Sequence, residues 1–311
     1  MTEEKKYSID EVDTYVAGQK VEKPTKSIEC NSIDRTAVYL VDINYYIYSG
    51  HFAVNLTSRG QAIGGLFTTI KGLVKLMKSA KRIVAVIDSE YCFKKEQVHT
   101  YKAHRESIHE IKYQREALIS FITAMNIPMC RVQGYEADDL IATLTTYYKM
   151  MGIPSVICGI DKDLCALVDD TCLMYNMQTG TMFDRNAIFA KYGIYPEQFE
   201  EYLSLVGDSA DGFKGLPGIG PKKAVDMIKA YGSVGNILRN LDTLKHQYKR
   251  YFTDPDSLES LRESIILATL NRDVPGLEAY HNPTYHQMNV VKYNELCTWH
   301  GFKSLLITTK P

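Results

Sequence analysis

Three short apolar runs, each ending in acid, recur along the 311-residue chain. Ala37-Val38-Tyr39-Leu40-Val41 runs into Asp42, and Ile83-Val84-Ala85-Val86-Ile87 into Asp88. Ser155-Val156-Ile157-Cys158-Gly159-Ile160 runs into Asp161-Lys162-Asp163. Unbroken apolar runs of this length, rich in β-branched residues, predict strands buried on both faces. Between them the spacing becomes helical. Leu66, Ile70, Leu73, Val74 and Met77 fall on one face within residues 64–81, and the pattern returns over 116–125. A short extended piece, 129–132, precedes Gly134-Tyr135-Glu136-Ala137-Asp138-Asp139, a polar turn that passes into an apolar-periodic helix ending near Met151. Leu173-Met174-Tyr175 predicts a further short strand. Strands alternating with helices imply an α/β fold with a mostly parallel sheet. From Val206 onward the pattern is helical with Gly-rich turns, whereas residues 1–35 lack periodicity and hold Pro24 among Lys and Glu. The expected organisation is a polar extension over 1–35, an α/β domain over 36–200 with a basic segment near 92–125, and a helical region over 201–311.

Composition narrows the class without deciding it. No apolar run approaches the roughly 18 residues of a membrane span. The first 26 residues are too polar for a signal peptide. Seven scattered cysteines without a CxxC pair argue against a disulfide framework and a zinc site, so a reducing, cytoplasmic compartment is expected. The net charge of −1 does not announce a nucleic-acid binder. Any such role must rest on local charge asymmetry.

Local asymmetry is present. In an open parallel sheet, ligands bind beyond the carboxyl ends of the strands, and three strands end there in Asp42, Asp88, and Asp161 with Asp163. Glu136, Asp138 and Asp139 crowd the start of the following helix. Glu136 and Asp139 are three apart and fall on one helical face. Asp208 and Asp211, in Val206-Gly207-Asp208-Ser209-Ala210-Asp211-Gly212, share a face if that segment is helical. Any one of these acids is ordinarily a helix N-cap or turn residue. Together they make a site of up to nine carboxylates without His or Cys, a donor set suited to Mg²⁺ or Mn²⁺. Two such ions about 4 Å apart clamp the attacking and leaving oxygens of a phosphodiester.

Two further stretches fit an anionic polymer. Over 92–115, Lys94, Lys95, Lys102, Arg105, Lys112 and Arg115 alternate with His and Tyr. By composition alone this could be a solvated amphipathic helix. Yet Tyr101-Lys102-Ala103-His104-Arg105 places a ring and two cations within about a turn and a half, a set able to stack a base and hold a phosphate. Gly218-Ile219-Gly220-Pro221-Lys222-Lys223 combines a turn allowing close backbone approach with Pro at a helix start. The helix N-terminus, backed by Lys222 and Lys223, suits a phosphate. The spacing excludes a P-loop.

As a set these motifs resemble the 5′→3′ exonuclease and flap endonuclease family, in particular the 5′-nuclease domain of bacterial DNA polymerase I and its free-standing bacterial and phage relatives. The resemblance runs from about Arg35 to Leu306. It implies a PIN-like sheet, a helical arch and a C-terminal helix-turn-helix region. It implies that Asp42, Asp88, Glu136, Asp138, Asp139, Asp161, Asp163, Asp208 and Asp211 form a divalent-metal site. Lys102 and Arg105 match arch residues that contact the scissile phosphate, and Tyr101 matches an aromatic position near the substrate. Lys94, Lys95, Gly218, Ile219, Gly220, Lys222 and Lys223 fall in the DNA-binding segments, with a potassium ion at the Gly218–Gly220 turn in some members.

Three positions depart from the family pattern. Ser49 stands near an expected Arg, for which Arg59 is a candidate substitute. Lys94 replaces an arch Arg, keeping the charge but not the bidentate geometry. Gly212 replaces an Asn beside Asp211. The expected activity is cleavage at 5′ ends and 5′ flaps of DNA, or of RNA primers in hybrids, by a monomer working beside a separate polymerase. A PIN-like ribonuclease and a non-catalytic branched-DNA binding protein are the alternatives.

Overall fold

A computed structural model describes residues 34–104, 108–284 and 287–308, and a short ladder between Tyr15–Val16 and Gln19–Lys20. Arg105, one of the two expected arch cations, lies outside the described residues. The described residues fall into two compact units, one within 27–93, 106–184 and 271–311, the other within 1–26, 94–105 and 185–270.

The first unit is built on six strands: β1 (Val38–Asp42), β2 (Arg82–Val86), β3 (Met129–Cys130), β4 (Ser155–Cys158), β5 (Cys172–Asn176) and β6 (Thr181–Phe183). Their order across the sheet is β6-β5-β4-β1-β2-β3, parallel except for the β5–β6 edge pair. β1 is central and buried throughout. The chain moves outward from β1 to β2 and β3, then returns to the other side of β1 at β4. That reversal is the switch point where an open sheet leaves a crevice at its carboxyl edge.

Both faces are covered, which explains why the strands are apolar without alternation. On one face Tyr39, Val41, Ile83 and Ala85 meet Leu66, Ile70 and Leu73 of α2 (Gly64–Met77) and Leu118, Phe121 and Ile122 of α3 (His109–Ala124). Tyr293 and Cys297 of a later helix, Val290–His300, complete that cluster. Toward the other face, α4 (Ala137–Met150) contacts β1, β2 and β4 and buries Leu140, Ile141 and Leu144. Each fully buried Val, Leu or Ile contributes about 1.5–3 kcal/mol, so the core fixes the strand register and therefore the height of each strand-end acid.

The sequence pattern missed α1 (Ile43–Ala53). This helix follows β1 directly and begins with Asp42 as its N-cap, the carboxylate accepting from the Tyr45 N–H at 3.0 Å. A hairpin, Thr57–Ser58 with Gln61–Ala62, joins it to α2.

In the second unit, α5 (Phe199–Val206) packs on α6 (Pro221–Tyr231) and α7 (Pro255–Ala268). The expectation that residues 207–212 could be helical is not met. After Val206 the chain turns tightly, with Asp208 and Phe213 exchanging backbone hydrogen bonds at 2.9 and 3.0 Å. Gly207 and Gly215 allow this pinch, since a Cβ on either would overlap the opposite backbone.

Candidate metal centre

The carboxyl edge of the sheet gathers acids by register. Asp42 pairs with Val86 across β1 and β2, so Asp88 stands two residues further out. Val41 pairs with Cys158, which brings the segment holding Asp161 and Asp163 past the other side of Asp42. The start of α4 closes the group, because the Ala137 N–H donates to the Asp88 carboxylate at 2.7 Å. Glu136 is the N-cap of α4 and buried, and Asp138 is half-buried in its first turn. The turn arrives there by a specific anchor: Ser89 N–H donates to the Tyr135 carbonyl at 3.1 Å, and Gly134 N–H donates to the Ser89 hydroxyl at 3.1 Å. Gly159 passes close to Asp42, where a Cβ would lie 3.3 Å from the Asp42 Cβ.

Asp42 records the electrostatic consequence. Burial pushes its carboxyl well above the usual carboxylate range, and the charges of Asp88, Asp161 and Asp138 push in the same direction, against the single hydrogen bond from Tyr45. An acid raised in this way is held beside its neighbours at a cost. An all-oxygen donor set under mutual repulsion fits a hard divalent cation.

The acids differ in how they are held. Asp139 is buried and accepts from the Asn271 N–H at 2.9 Å, so it fastens the 271 segment to α4. Asp138 accepts from the Asp139 N–H at 2.8 Å, and Asp163 N–H lies 3.4 Å from an Asp161 oxygen. The Asn271 contact links residues far apart in sequence and left no trace in the pattern.

In the second unit, the 207–215 turn brings carboxylate oxygens of Asp208 and Asp211 within 4.8 Å of one another. Asp208 is buried and accepts from the Ala210 N–H at 2.8 Å. Asp211 meets the basic segment directly. Lys102 N–H donates to the Asp211 carbonyl at 2.9 Å, and the Lys102 ammonium lies 3.6 Å from the Asp211 carboxylate. The Tyr101 hydroxyl donates to the same carboxylate at 3.3 Å, and the ammonium sits 4.7 Å from the Tyr101 ring centroid. Lys102 has φ of +52°, a left-handed conformation costing a non-Gly residue roughly 1–2 kcal/mol, which these contacts sustain. The Tyr101 ring is only 1% exposed, so in this conformation it supports Lys102 and Asp211 and offers no open stacking face. Gly212 has φ of +84°, and a Cβ there would come 3.0 Å from the Thr100 carbonyl, so a side chain at this position would press on the basic segment.

Several contributors carry no clear sequence signal. Ser264 is fully buried on α7; its hydroxyl accepts from the Gly215 N–H at 3.0 Å and donates to the Ser260 carbonyl at 2.8 Å. Ser260 donates to the Gly215 carbonyl at 2.7 Å. These two serines clamp the turn that carries Asp208 and Asp211. Back in the first unit, Tyr91, Phe93 and Tyr135 form an edge-to-face set with centroids 5.4 and 5.3 Å apart, and Phe93 fills the space that Gly134 leaves by lacking a Cβ. Gly134 was visible as a turn residue, but its aromatic neighbour was not. Arg59 is engaged with Trp299, its guanidinium 3.8 Å from the ring centroid and its Nε donating to the Trp299 carbonyl at 3.1 Å. Lys94 is buried, while Lys95 and Lys222 are exposed.

The Gly218–Gly220 turn leads into α6, with Pro221 in the first turn as expected. Ile219 is buried and anchors it. The Lys223 ammonium donates to the Gly218 carbonyl at 2.8 Å and lies 5.4 Å from the Tyr251 ring centroid. Arg250 donates to the Tyr251 hydroxyl at 2.9 Å, and this bond, with the charges of Arg250 and Lys223, holds the Tyr251 phenol below its usual range.

Comparison with known proteins identifies the family and the fold. The family described as 5′-3′ exonuclease, N-terminal resolvase-like domain, matches residues 37–193, and the 5′-3′ exonuclease C-terminal SAM fold matches 194–290. A 5′-3′ exonuclease of Aquifex aeolicus is 32% identical over 219 residues, covering 68% of this chain and 76% of that protein. The thermostable DNA polymerase I of Thermus thermophilus is 34% identical over 244 residues; the match covers 76% of this chain and spans only 29% of the polymerase. Among solved structures, the bacteriophage T5 flap endonuclease in a complex with DNA and metal ions has a TM-score of 0.63 at 19% identity, covering 85% of this chain and 99% of that one. The T5 5′-exonuclease with bound zinc has a TM-score of 0.62 at 20% identity, covering 76% and 90%. At such identities these two structures show the shared fold: a mostly parallel sheet flanked by helices, followed by a helical region. With both of the family's domains matched in order over residues 37–290, the chain belongs to the 5′-3′ exonuclease family.

Proposed function

We propose that this chain is a structure-specific nuclease that hydrolyses phosphodiester bonds at 5′ ends and 5′ flaps of DNA, RNA primers in hybrids included. The observation that carries the reading is the convergence of Asp42, Asp88, Glu136, Asp138, Asp161 and Asp163 on the carboxyl edge of one parallel sheet, with Asp42 shifted upward by burial and by its neighbours. Mg²⁺ is the expected ion, Mn²⁺ a substitute. When bound, two divalent ions supply a nucleophile at neutral pH and neutralise charge on the phosphate. Asp88, Glu136, Asp138, Asp161 and Asp163 would hold them, with Asp42 as the buried floor of the site. Asp139 keeps α4 and the 271 segment in place beneath these ligands. Asp208 and Asp211 lie in the second unit, where Asp211 orients Lys102.

Lys102 and Arg105 contribute positive charge to the scissile phosphate. Holding such a donor in place before reaction is worth about 2.7–4 kcal/mol of barrier. Tyr101 fixes the Lys102 side chain by its ring, and its hydroxyl donates to the Asp211 carboxylate that pairs with Lys102. Lys95, exposed, supplies further charge along the arch, whereas Lys94 is buried and does not face it as expected. On this reading residues 36–200 carry the chemistry, 1–35 are an extension, and 201–311 hold the duplex through Gly218, Ile219, Gly220, Lys222 and Lys223. Backbone contacts of that kind are salt-dependent and tolerant of sequence. That the T5 flap endonuclease, which shares the fold, was solved with DNA and metal ions supports the substrate class. A monomer acting in the cytoplasm beside a separate polymerase completes the proposal.

The test is cleavage of a labelled 5′-flap duplex with Mg²⁺, beside a linear single-stranded RNA of the same length. Preferential release of the flap supports the reading. Tight flap binding without cleavage would leave a binding protein, and preferential cleavage of the RNA would favour a PIN-like ribonuclease.

A further inference from the structure

The Gly218–Gly220 turn already contains a cation. Lys223, in the first turn of α6, bends back so that its ammonium donates to the Gly218 carbonyl at 2.8 Å. The turn exposes that carbonyl because Gly218 has φ of +85°, a conformation glycine adopts without penalty. A Cβ on Gly218 would lie 2.5 Å from the Tyr251 ring, so a side chain there would displace that ring. That ring closes the arrangement, with the Lys223 ammonium 5.4 Å and the Arg250 guanidinium 4.8 Å from its centroid. A carbonyl oxygen and an aromatic face are the two uncharged groups that favour a monovalent cation. Here the cation is covalently attached.

A free potassium ion at this turn would compete with that ammonium for the Gly218 oxygen. Two monovalent cations against one carbonyl repel each other, and the attached one has no translational entropy to lose on binding. The expectation of potassium therefore does not fit the residues present. We propose that Lys223 is the resident cation of the Gly218–Gly220 turn, bridging its backbone to a duplex phosphate, so that duplex binding needs no potassium. The inference rests on the duplex-gripping assignment of residues 201–311 made above. It concerns binding only, so it does not depend on whether the chain cleaves.

The test is equilibrium binding of a fluorescein-labelled linear duplex by the full-length chain, followed by anisotropy in a chelator so that hydrolysis does not enter. KCl, NaCl and LiCl are compared at one ionic strength. Wild-type Kd is expected to agree within about twofold across the three salts, because only counterion release is in play. Lys223→Met, confirmed as folded by its melting curve, should bind about tenfold more weakly in Na⁺ or Li⁺ and recover most of that loss in K⁺ or NH₄⁺, which refill the vacated carbonyl site. Lys222→Met, an exposed neighbour, should weaken binding by the same factor in every salt. Wild-type binding stronger in K⁺ than in Na⁺ by more than about fivefold would overturn the proposal. So would a Lys223→Met variant that binds like wild type, or one weakened equally in all salts like Lys222→Met. Absence of duplex binding by the wild type in every salt would remove the turn from the interface altogether.

Discussion

Neutralising Asp42 should make the metal-free protein more stable. Asp42 has two jobs: it caps α1 through the Tyr45 N–H, and it places a buried charge among Asp88, Asp138 and Asp161. Asp42→Asn separates them. The Asn side-chain oxygen still accepts from Tyr45, since Asn and Asp are equally good N-caps. The buried charge and its repulsion are lost. Relieving a destabilised functional position commonly gains about 0.5–2 kcal/mol, and a domain of this size shifts its melting point by roughly 2–4 °C per kcal/mol. A rise of roughly 1–8 °C is therefore expected in EDTA near pH 8. Asp42→Ala should gain less, because it forfeits a cap worth about 0.5–2 kcal/mol.

The pH dependence has a definite sign. With its carboxyl raised, folded Asp42 binds a proton more tightly than the unfolded chain does. Wild-type stability is therefore lost as pH climbs from the ordinary value of about 3.9 through the raised folded value. The Asn variant's advantage should be absent below that window and complete above it. Adding Mg²⁺ should raise the wild-type melting point more than the variant's, since ligand binding to the folded state stabilises it by mass action. Scanning fluorimetry across pH, with EDTA and with Mg²⁺, measures all of this. An Asn variant no more stable than wild type in EDTA near pH 8 would refute the claim that the acids are held together against repulsion.

Other perturbations probe separate parts. Lys102→Ala should lower the single-turnover cleavage rate by about 10²–10³ while flap affinity changes far less; an unchanged rate would remove Lys102 from the chemistry. Ser264→Ala leaves the buried Gly215 N–H without its acceptor and should cost about 1–3 kcal/mol in urea unfolding, and a loss within error would show that Ser260 alone holds the turn. Gly134→Ala forces a Cβ against Phe93 at a residue with φ of +90° and should destabilise by more than about 1 kcal/mol, with part of the loss recovered when Phe93→Ala is added. Strict additivity of that pair would mean that backbone conformation alone explains the glycine.

What the sequence made legible follows from local chemistry. The three strand-to-acid junctions could be read because a parallel strand buried on both faces is apolar to its last residue, and the first polar side chain marks the sheet edge. Gly134–Asp139 could be read because a helix start has its own residue signature. For Asp42 the ordinary explanation holds without displacing the proposed one, as it is an N-cap and also a neighbour of Asp88, Asp138 and Asp161. Whether Asp208 and Asp211 share a helical face is open in the sequence, because a three-residue spacing of acids looks the same in a helix and in a pinched turn; Gly207 and Gly215, which decide between them, act through a backbone approach eight residues apart. Asp139 to Asn271, Phe93 to Gly134, and Ser264 to Gly215 all join segments distant in the chain, so no local pattern encodes them. Lys223 reads in the sequence as a phosphate-facing lysine at a helix start, and only the left-handed turn at Gly218 reveals that its ammonium also reaches the turn's own carbonyl.

The central claim is that the acids at the sheet edge hold the metal that cuts the 5′ strand. Single-turnover cleavage of a 5′-flap duplex by wild type and by Asp88→Asn, with flap affinity measured on the same preparations, tests it most directly. Asn keeps an oxygen to accept from the Ala137 N–H, so the start of α4 should stay in place. The wild type should cleave with Mg²⁺ and not with EDTA, and the variant should bind the flap within about threefold of wild type while cleaving at least 10²-fold more slowly, roughly the scale of losing one interaction made only in the transition state. Cleavage by the variant at the wild-type rate, or wild-type cleavage that persists in EDTA, would contradict the account.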